Sequence, residues 1–70
     1  MFIVLEIQVT DKMAILTSTH NDMNAALSKF YQTMVAATQS SCRMHTVMII
    51  DESGMTVKKE TVFHEVQEDE

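Results

Sequence analysis

Three histidines and a single cysteine are the side chains of this chain best suited to metal binding or nucleophilic chemistry. They are His20, Cys42, His45 and His64. No H-x-x-x-H or C-x-x-C spacing places two of these ligands on one element, which zinc sites usually require. The hairpin register predicted below sets Cys42 opposite His64, so a Cys/His pair is conceivable. A lone cysteine is more often a small buried hydrophobic residue, and a strand histidine more often a surface residue. We therefore expect no catalytic residue, no metal and no cofactor.

Other catalytic arrangements find equally little support. Glu6 and Glu60 fall on the same predicted sheet face, but acid/base catalysis needs a cleft that shifts the pKa of one carboxylate. Ordinary ion pairs with Lys58 or Lys59 are the alternative interpretation. The chain has one glycine, which excludes the glycine-rich dinucleotide and phosphate loops and the nucleophile elbow. The chain is predicted not to be an enzyme.

Length and composition limit the fold to one small domain. With 70 residues, such a chain buries only about 60% of the surface of its unfolded state. Small domains therefore need extra support from a disulfide, a metal or a partner subunit. A single cysteine rules out an intrachain disulfide. We predict one domain over residues 1–66, followed by an acidic tail over residues 67–70.

The net charge of −5 narrows the range of partners. Nucleic-acid binding draws its affinity from clustered Lys and Arg, whereas the five basic residues here are scattered. An acidic surface repels nucleic acid and anionic membranes and favours basic protein surfaces. We expect no direct contact with nucleic acid or membranes, and the cytoplasm as the location, because no apolar run is long enough for a membrane span.

Hydrophobic periodicity predicts four strands and one helix. The segment "MFIVLEIQV" alternates from about Phe2 to Val9, and "TDKM" predicts a turn before a second strand from about Met13 to Thr19. Thr19 or Asn21 can cap a following helix, with Asp22 in its first turn. An apolar stripe then repeats at helical spacing until the helix ends near Gln39. The stripe consists of Met23, Leu27, Phe30, Met34 and Ala37, joined by Ala26, Tyr31 and Val35.

The last third of the chain predicts a second hairpin. "RMHTVMII" and "MTVKKETVFHEV" flank the turn "DESG", in which Gly54 suits the left-handed position of a three-residue loop. Asp51 would then face Met55. The resulting register pairs Ile49 with Val57, Val47 with Lys59, Met48 with Lys58 and Met44 with Val62.

These elements predict an α+β fold of strand, strand, helix, strand, strand, with the helix packed on one face of a four-stranded antiparallel sheet. We expect the helix to cover the more aliphatic face. That face would contain Ile3, Leu5, Ile7, Val9, Leu16, Val47, Ile49, Val57 and Phe63.

The opposite sheet face is also apolar, which predicts self-association. A large exposed apolar patch usually marks an interface, and each buried aliphatic side chain contributes about 1.5–3 kcal/mol. We expect a homodimer, sheet against sheet; partial coverage of this face by long Lys and Glu stems, and edge-to-edge strand pairing, are the alternatives. The predicted interface residues are Phe2, Val4, Ile15, Met44, Met48, Ile50 and Val62.

Four segments carry a family resemblance: "FIVLEIQ", "HNDMNAALSKFYQ", "SSCRMHTVMIIDESG" and "KKETVFHEV" followed by an acidic tail. The chain resembles small uncharacterised proteins encoded by phages and prophages of Firmicutes and gut bacteria, over nearly its whole length. It departs from them in the shorter first turn at Asp11 and Lys12, which lacks the usual glycine. The resemblance implies a phage accessory protein that binds a host or phage protein, and it implies no activity for particular residues.

Two functional hypotheses follow. The first is a non-enzymatic, homodimeric protein-interaction module of the phage accessory type. The second is an acidic inhibitor that mimics nucleic acid and occupies a host defence or nucleic-acid-binding protein, in the manner of anti-CRISPR or anti-restriction proteins. The second hypothesis requires the carboxylates to form one ridge. The relevant carboxylates are those of Glu6, Asp11, Glu60, Glu65 and the tail.

Overall fold

The computed structural model describes residues 1–64 of the chain. Its elements follow the predicted order of two strands, one helix and two strands, and the four strands form one sheet. The predicted acidic tail and the predicted domain end at residue 66 lie outside the described residues. The elements are β1 (Phe2–Val9), β2 (Met13–His20), α1 (Met23–Thr38), β3 (Met44–Asp51) and β4 (Thr56–Phe63).

The spatial order of the strands is β2-β1-β3-β4. Each neighbouring pair is antiparallel, so the α+β prediction is confirmed. Because β1 lies between β2 and β3, these two outer neighbours run parallel to each other. The helix therefore forms a crossover between parallel strands, and such crossovers are right-handed in about 98% of cases.

Helix α1 starts one residue later than the predicted caps allow. Asp22 is the N-cap, and its side chain accepts a hydrogen bond of 2.8 Å from the backbone N–H of Ala25. The predicted caps Thr19 and Asn21 are wrong because β2 continues through His20 and takes Thr19 into the sheet. The helix ends at Thr38 with Gln39 as its C-cap, which agrees with the predicted end near Gln39.

The core forms between one face of α1 and the centre of the sheet. Val4, Val47 and Ile49 pack with Ala26 and Phe30, and all five are buried. Phe2, Met23, Leu27 and Met34 surround this cluster. The predicted helical stripe is thus confirmed except for Tyr31 and Val35, which are exposed.

The helix covers the other face of β1 from the one predicted. Val47 and Ile49 meet the helix as expected. On β1, however, Phe2 and Val4 belong to the core, so the alternating residues Ile3, Leu5, Ile7 and Val9 point to the opposite side. The right-handed crossover explains the difference, because its hand selects the side of the sheet on which the helix lies, irrespective of which face is more aliphatic.

The second hairpin has the predicted turn but a different register along its strands. Gly54 takes a φ of 90°, and Asp51 donates its N–H to the carbonyl of Met55 as predicted. The pairing then shifts between Ile49 and Ile50, as in a β-bulge. A slip of one residue exchanges the two faces of a strand. All four predicted pairs are corrected: Ile49 pairs with Lys58, Val47 with Glu60, Met48 with Lys59 and Met44 with Phe63.

The same shift moves the end of β4. Phe63 now pairs with Met44 on the face away from the helix, where it is exposed, and Val62 pairs with His45 on the helix side. Val57, another predicted core residue, is exposed next to the shift. Leu16 lies on the helix side but is 50% exposed.

The turn around Asp51 predicts a pH-dependent loss of stability. Its pKa is lowered from 3.8 by hydrogen bonds from the Ser53 hydroxyl, then from the backbone N–H of Met55 and Ser53. A lowered folded-state pKa stabilises the fold above the unfolded pKa, and this contribution disappears as the pH falls through the folded value. Asp51→Asn should therefore lower the melting temperature at pH 7, and the difference from wild type should close as the pH falls through the lowered pKa of Asp51. Thermal melts across this range test it.

Asp11→Asn in the first hairpin turn is the control for this experiment. Asp11 accepts a single side-chain hydrogen bond, of 3.2 Å, from Thr10, so we expect a smaller change than for Asp51→Asn. An Asp51→Asn effect that is the same at pH 7 and pH 2 would show that the charge on Asp51 is not what stabilises the turn.

Candidate association surface and buried polar cluster

One complete face of the sheet carries no helix. Strand pairing and alternation determine its members, and the hydrogen bond of 3.1 Å between the Thr46 and Thr61 hydroxyls across β3 and β4 is consistent with this assignment. We call this surface the open face. It consists of Ile3, Leu5, Ile7, Val9, Met13, Ile15, Thr17, Thr19, Met44, Thr46, Met48, Ile50, Lys59, Thr61 and Phe63.

The open face is largely apolar, and its polar members are four threonines and Lys59. Leu5 and Met48 are paired at its centre and are half-buried by their neighbours. At the rim Met13 is 67% exposed, Ile15 59% and Phe63 73%. Among residues 1–64, the core cluster places the helix on the other side of the sheet. The described chain thus leaves a largely hydrophobic surface uncovered.

The open face also contains no carboxylate among its members, although the chain carries ten acidic residues. Asp22 caps the helix and Asp51 holds the second turn. Glu6 lies on the helix side of β1, where it contacts His45. Lys59 is the single charged member of this surface. Negative charge is therefore segregated away from the open face.

The predicted interface residues divide between the two faces. Ile15, Met44, Met48 and Ile50 belong to the open face. The placement of Phe2, Val4 and Val62 there is wrong. Phe2 and Val4 pack in or around the core, and Val62 pairs with His45 on the helix side. Their places are taken by the aliphatic residues of β1, which the sequence analysis assigned to the core.

A polar cluster is buried beneath the helix on the covered face. Gln8 and His45 are paired across β1 and β3. The His45 Nδ1 donates to the Glu6 Oε2 at 2.8 Å, and the Gln8 amide donates to the same oxygen at 3.2 Å. His45 is 3% exposed. One carboxylate oxygen therefore holds together two side chains from the central strands.

His64 connects the same end of the sheet to the helix. Its Nε2 lies 2.8 Å from the carbonyl oxygen of Ala37 and donates to it, in addition to the backbone N–H of Ser40, and so ties the C-terminal end of the helix to β4. The His64 and His45 rings pack edge to face, and their centroids are 6.4 Å apart. Within residues 1–64, the buried His45 Nε2 has no hydrogen-bond partner.

The predicted Cys42/His64 pairing is displaced by one residue. His64 donates its backbone N–H to the carbonyl of Arg43 rather than facing Cys42, because the shift in β4 moves every later residue along the strand. Cys42 is half-buried and is a free cysteine. In the described part of the chain, no group of three or more His, Cys, Asp or Glu side chains could hold a metal ion.

The Glu6–His45 contact predicts a strongly non-additive pair of substitutions. Glu6→Leu should destabilise the protein by about 1–3 kcal/mol, because it leaves the buried imidazole without its acceptor. Adding His45→Leu should recover most of this loss, since replacing both partners of a buried polar pair by apolar groups is nearly neutral. Urea unfolding of the two single variants and the double variant measures the coupling.

Independent effects of Glu6→Leu and His45→Leu, adding within about 0.5 kcal/mol, would contradict this prediction. Gln32→Leu on the exposed side of the helix is a matched control. It makes a similar change in polarity without a buried partner, and surface substitutions of this kind usually change stability by less than about 0.5 kcal/mol.

A small cavity lies between α1 and the β1–β2 hairpin. Its volume is about 160 Å³, and Glu6 and Lys29 both reach it. Ser18 lines the same cavity and lies 2.9 Å from the His20 Nε2 through its hydroxyl. A nucleophilic serine needs its histidine oriented by a third group, and none of the described carboxylates contacts His20. The Ser18–His20 contact, which sequence spacing did not reveal, therefore lacks the third group of a catalytic triad.

The carboxylates required by the nucleic-acid mimic hypothesis do not all share one surface in residues 1–64. Glu6 faces the helix and contacts His45, whereas Asp11 lies in the first turn. Glu60 lies on the helix side of β4, the same sheet face as Glu6 because both residues pair with Val47, but β4 is at the opposite edge of the sheet from β2 and the first turn. Glu65 and the tail carboxylates lie outside the described residues, so that part of the prediction remains open.

Across residues 1–64, no helix has the length and hydrophobicity needed to cross a bilayer. No protein-family model, curated protein or solved structure matches this chain. The resemblance to small phage proteins therefore stays a prediction, and the geometry of the sheet is the basis for a functional proposal.

Proposed function

We propose that this chain is a non-enzymatic protein-interaction module that associates with a second copy through the open face. The observation that carries the proposal is charge segregation. A chain with a net charge of −5 keeps its described carboxylates away from one apolar sheet face. Selection for solubility alone would favour charges on such a surface.

The size of the open face supports a protein interface. Four strands of eight residues each cover a footprint of about 500 Å² at normal strand spacing. Apolar patches of about 300–600 Å² are the largest that typical monomers expose and are often functional. Two such faces in contact would bury about 1,000 Å², which reaches the lower limit of specific interfaces.

The charge distribution favours a second copy as the partner. A basic or acidic partner would gain nothing from a surface whose single charged member is Lys59. Between two copies, the acidic turns stay at the ends of the sheet, and charges separated by more than about 8 Å are largely screened at physiological ionic strength. Raising the salt concentration should therefore strengthen the association.

The biological setting follows the sequence resemblance. We propose a phage accessory protein acting in the cytoplasm of a bacterial host, with a host or phage protein as a further partner. Inhibition by nucleic-acid mimicry is the weaker candidate, because no observation on the described carboxylates favours it.

Light scattering coupled to size-exclusion chromatography tests the proposal. At tens of micromolar in physiological salt, we expect a mass well above the 8.0 kDa of a single chain. A mass of one chain under these conditions would contradict self-association. Repeating the measurement at low salt should reduce the associated fraction, because the two acidic copies are then less screened.

A further inference from the structure

The free edge of β2 presents a regular row of unpaired backbone groups. Strand β2 is at one end of the sheet. The N–H of Arg43 donates to the carbonyl of Val9, so odd-numbered residues of β1 turn their backbone groups toward β3. Even-numbered residues of β1 therefore bond β2, and they pair with its even-numbered residues, as Glu6 does with Leu16. The backbone groups left facing outward are those of Met13, Ile15, Thr17 and Thr19.

The two edges of the sheet differ in how they resist pairing. Edge strands are normally protected by charged side chains, proline or a bulge. Strand β4 has such protection, since it carries Lys58, Lys59 and Glu60 and a shifted register. Strand β2, with the sequence MAILTSTH, has no lysine, carboxylate, proline or glycine, and its pairing with β1 is unshifted. It is the unprotected edge.

Strand β2 is also the least covered strand. The buried helix residues pack on β1 and β3, which leaves Leu16 50% exposed on the helix side of β2, and Ile15 on the open face is 59% exposed. A strand with exposed aliphatic residues on both faces and an uncharged free edge is a strong candidate for intermolecular pairing.

We propose that the free edge of β2 pairs antiparallel with the same edge of a second copy, across a two-fold axis. The inference rests on the proposed self-association, because it takes a second copy of the chain as the partner. It assigns a second contact surface to that association. In the register that matches all four outward-facing residues, Met13 pairs with Thr19 and Ile15 with Thr17. Leu16 then lies directly opposite Leu16 of the other copy. The product is an eight-stranded sheet with both helices on one side.

Area and charge both favour a second copy as the occupant. The open face alone, at a footprint of about 500 Å², is smaller than the ~800 Å² that each partner contributes to a standard interface. Pairing of β2 joins two open faces side by side into one surface of about 1,000 Å² on the side away from both helices, which a further pair of copies can cover. It also brings together the one strand of the sheet that carries no Asp, Glu, Lys or Arg, so two acidic copies meet there without opposed like charges.

Disulfide trapping tests this register directly. In a Cys42→Ser background, Leu16→Cys places two thiols opposite each other at a non-hydrogen-bonded pair, where Cα atoms are about 4.5 Å apart and within disulfide range. We expect a covalent dimer on a non-reducing gel after mild oxidation at low micromolar concentration. Circular dichroism checks that the variant remains folded.

Thr17→Cys in the same background is the matched control. In the proposed register Thr17 lies opposite Ile15, so the two Thr17 positions are diagonal neighbours about 7–8 Å apart, beyond normal disulfide geometry. Fast trapping of Leu16→Cys with slow trapping of Thr17→Cys supports the proposal. Faster trapping of Thr17→Cys, or trapping of Leu16→Cys no faster than in urea, overturns it.

The open-face proposal and the β2-edge proposal can be tested separately. Leu16→Cys trapping repeated in the presence of Met48→Asp should be unchanged, because Met48 belongs to the open face. If Leu16→Cys is still trapped and Met48→Asp leaves the mass unaltered, the result supports pairing through the β2 edge. The same result contradicts association through the open face. Absence of trapping while Met48→Asp halves the mass would overturn the edge inference and leave the face proposal intact.

Discussion

Replacing Phe30 by alanine is expected to unfold most of the protein at physiological temperature. Phe30 is fully buried and is among the largest buried side chains of the molecule. It belongs to the core cluster of five buried residues between the helix and the sheet. Phe→Ala substitutions in cores cost about 3–5 kcal/mol. A domain below 70–80 residues rarely has more than about 3–5 kcal/mol in total from its core, so the loss matches the whole stability.

Far-UV circular dichroism with urea titration measures this effect. Val35→Ala on the same helix is the matched control, because Val35 is 60% exposed and should change stability by less than about 0.5 kcal/mol. The titration should be repeated at two protein concentrations, since association stabilises the folded state by mass action. A loss below about 1 kcal/mol for Phe30→Ala at both concentrations would contradict a core centred on this residue.

Met48→Asp is expected to halve the mass of the assembly while leaving the chain folded. Met48 lies at the centre of the open face, directly across from Leu5 on β1 and from Lys59 on β4. Burying an unpaired carboxylate between two apolar faces is strongly unfavourable. In the separated chain the carboxylate is hydrated and has Lys59 beside it. The fold should therefore tolerate the substitution, and the interface should not.

Light scattering at tens of micromolar measures the mass, and circular dichroism confirms that the helix signal is retained. Val35→Asp makes the same change in charge on the exposed side of the helix and should leave the mass unaltered. If both variants lower the mass equally, added charge is responsible rather than the open face. If neither does, the interface is elsewhere.

Local pattern was sufficient to predict the elements of this fold. Period-two alternation identified the strands, and the helical stripe around Phe30 identified the buried side of α1. Gly54 identified the left-handed turn position. These features depend on residues close in sequence, whose conformational preferences act whether or not the rest of the chain is in place.

The buried polar cluster could not be predicted in the same way. Glu6 and Gln8 alternate on β1, but His45 reaches Glu6 only because β3 pairs with β1 in one register. The predicted partner of Met44 was likewise wrong by one residue, since the shift between Ile49 and Ile50 moves all of β4. Register errors of this kind exchange whole faces, as with Val62 and Phe63.

The amino-acid sequence by itself determined that both sides of the sheet are apolar, that the order of elements is strand, strand, helix, strand, strand, and that the chain is acidic. Only the tertiary structure decided which side became the core. The two faces of β1 are too similar in hydrophobicity to discriminate, so the hand of the crossover between β2 and β3 placed the helix over Val4. That choice left Leu5 and its neighbours on the open face.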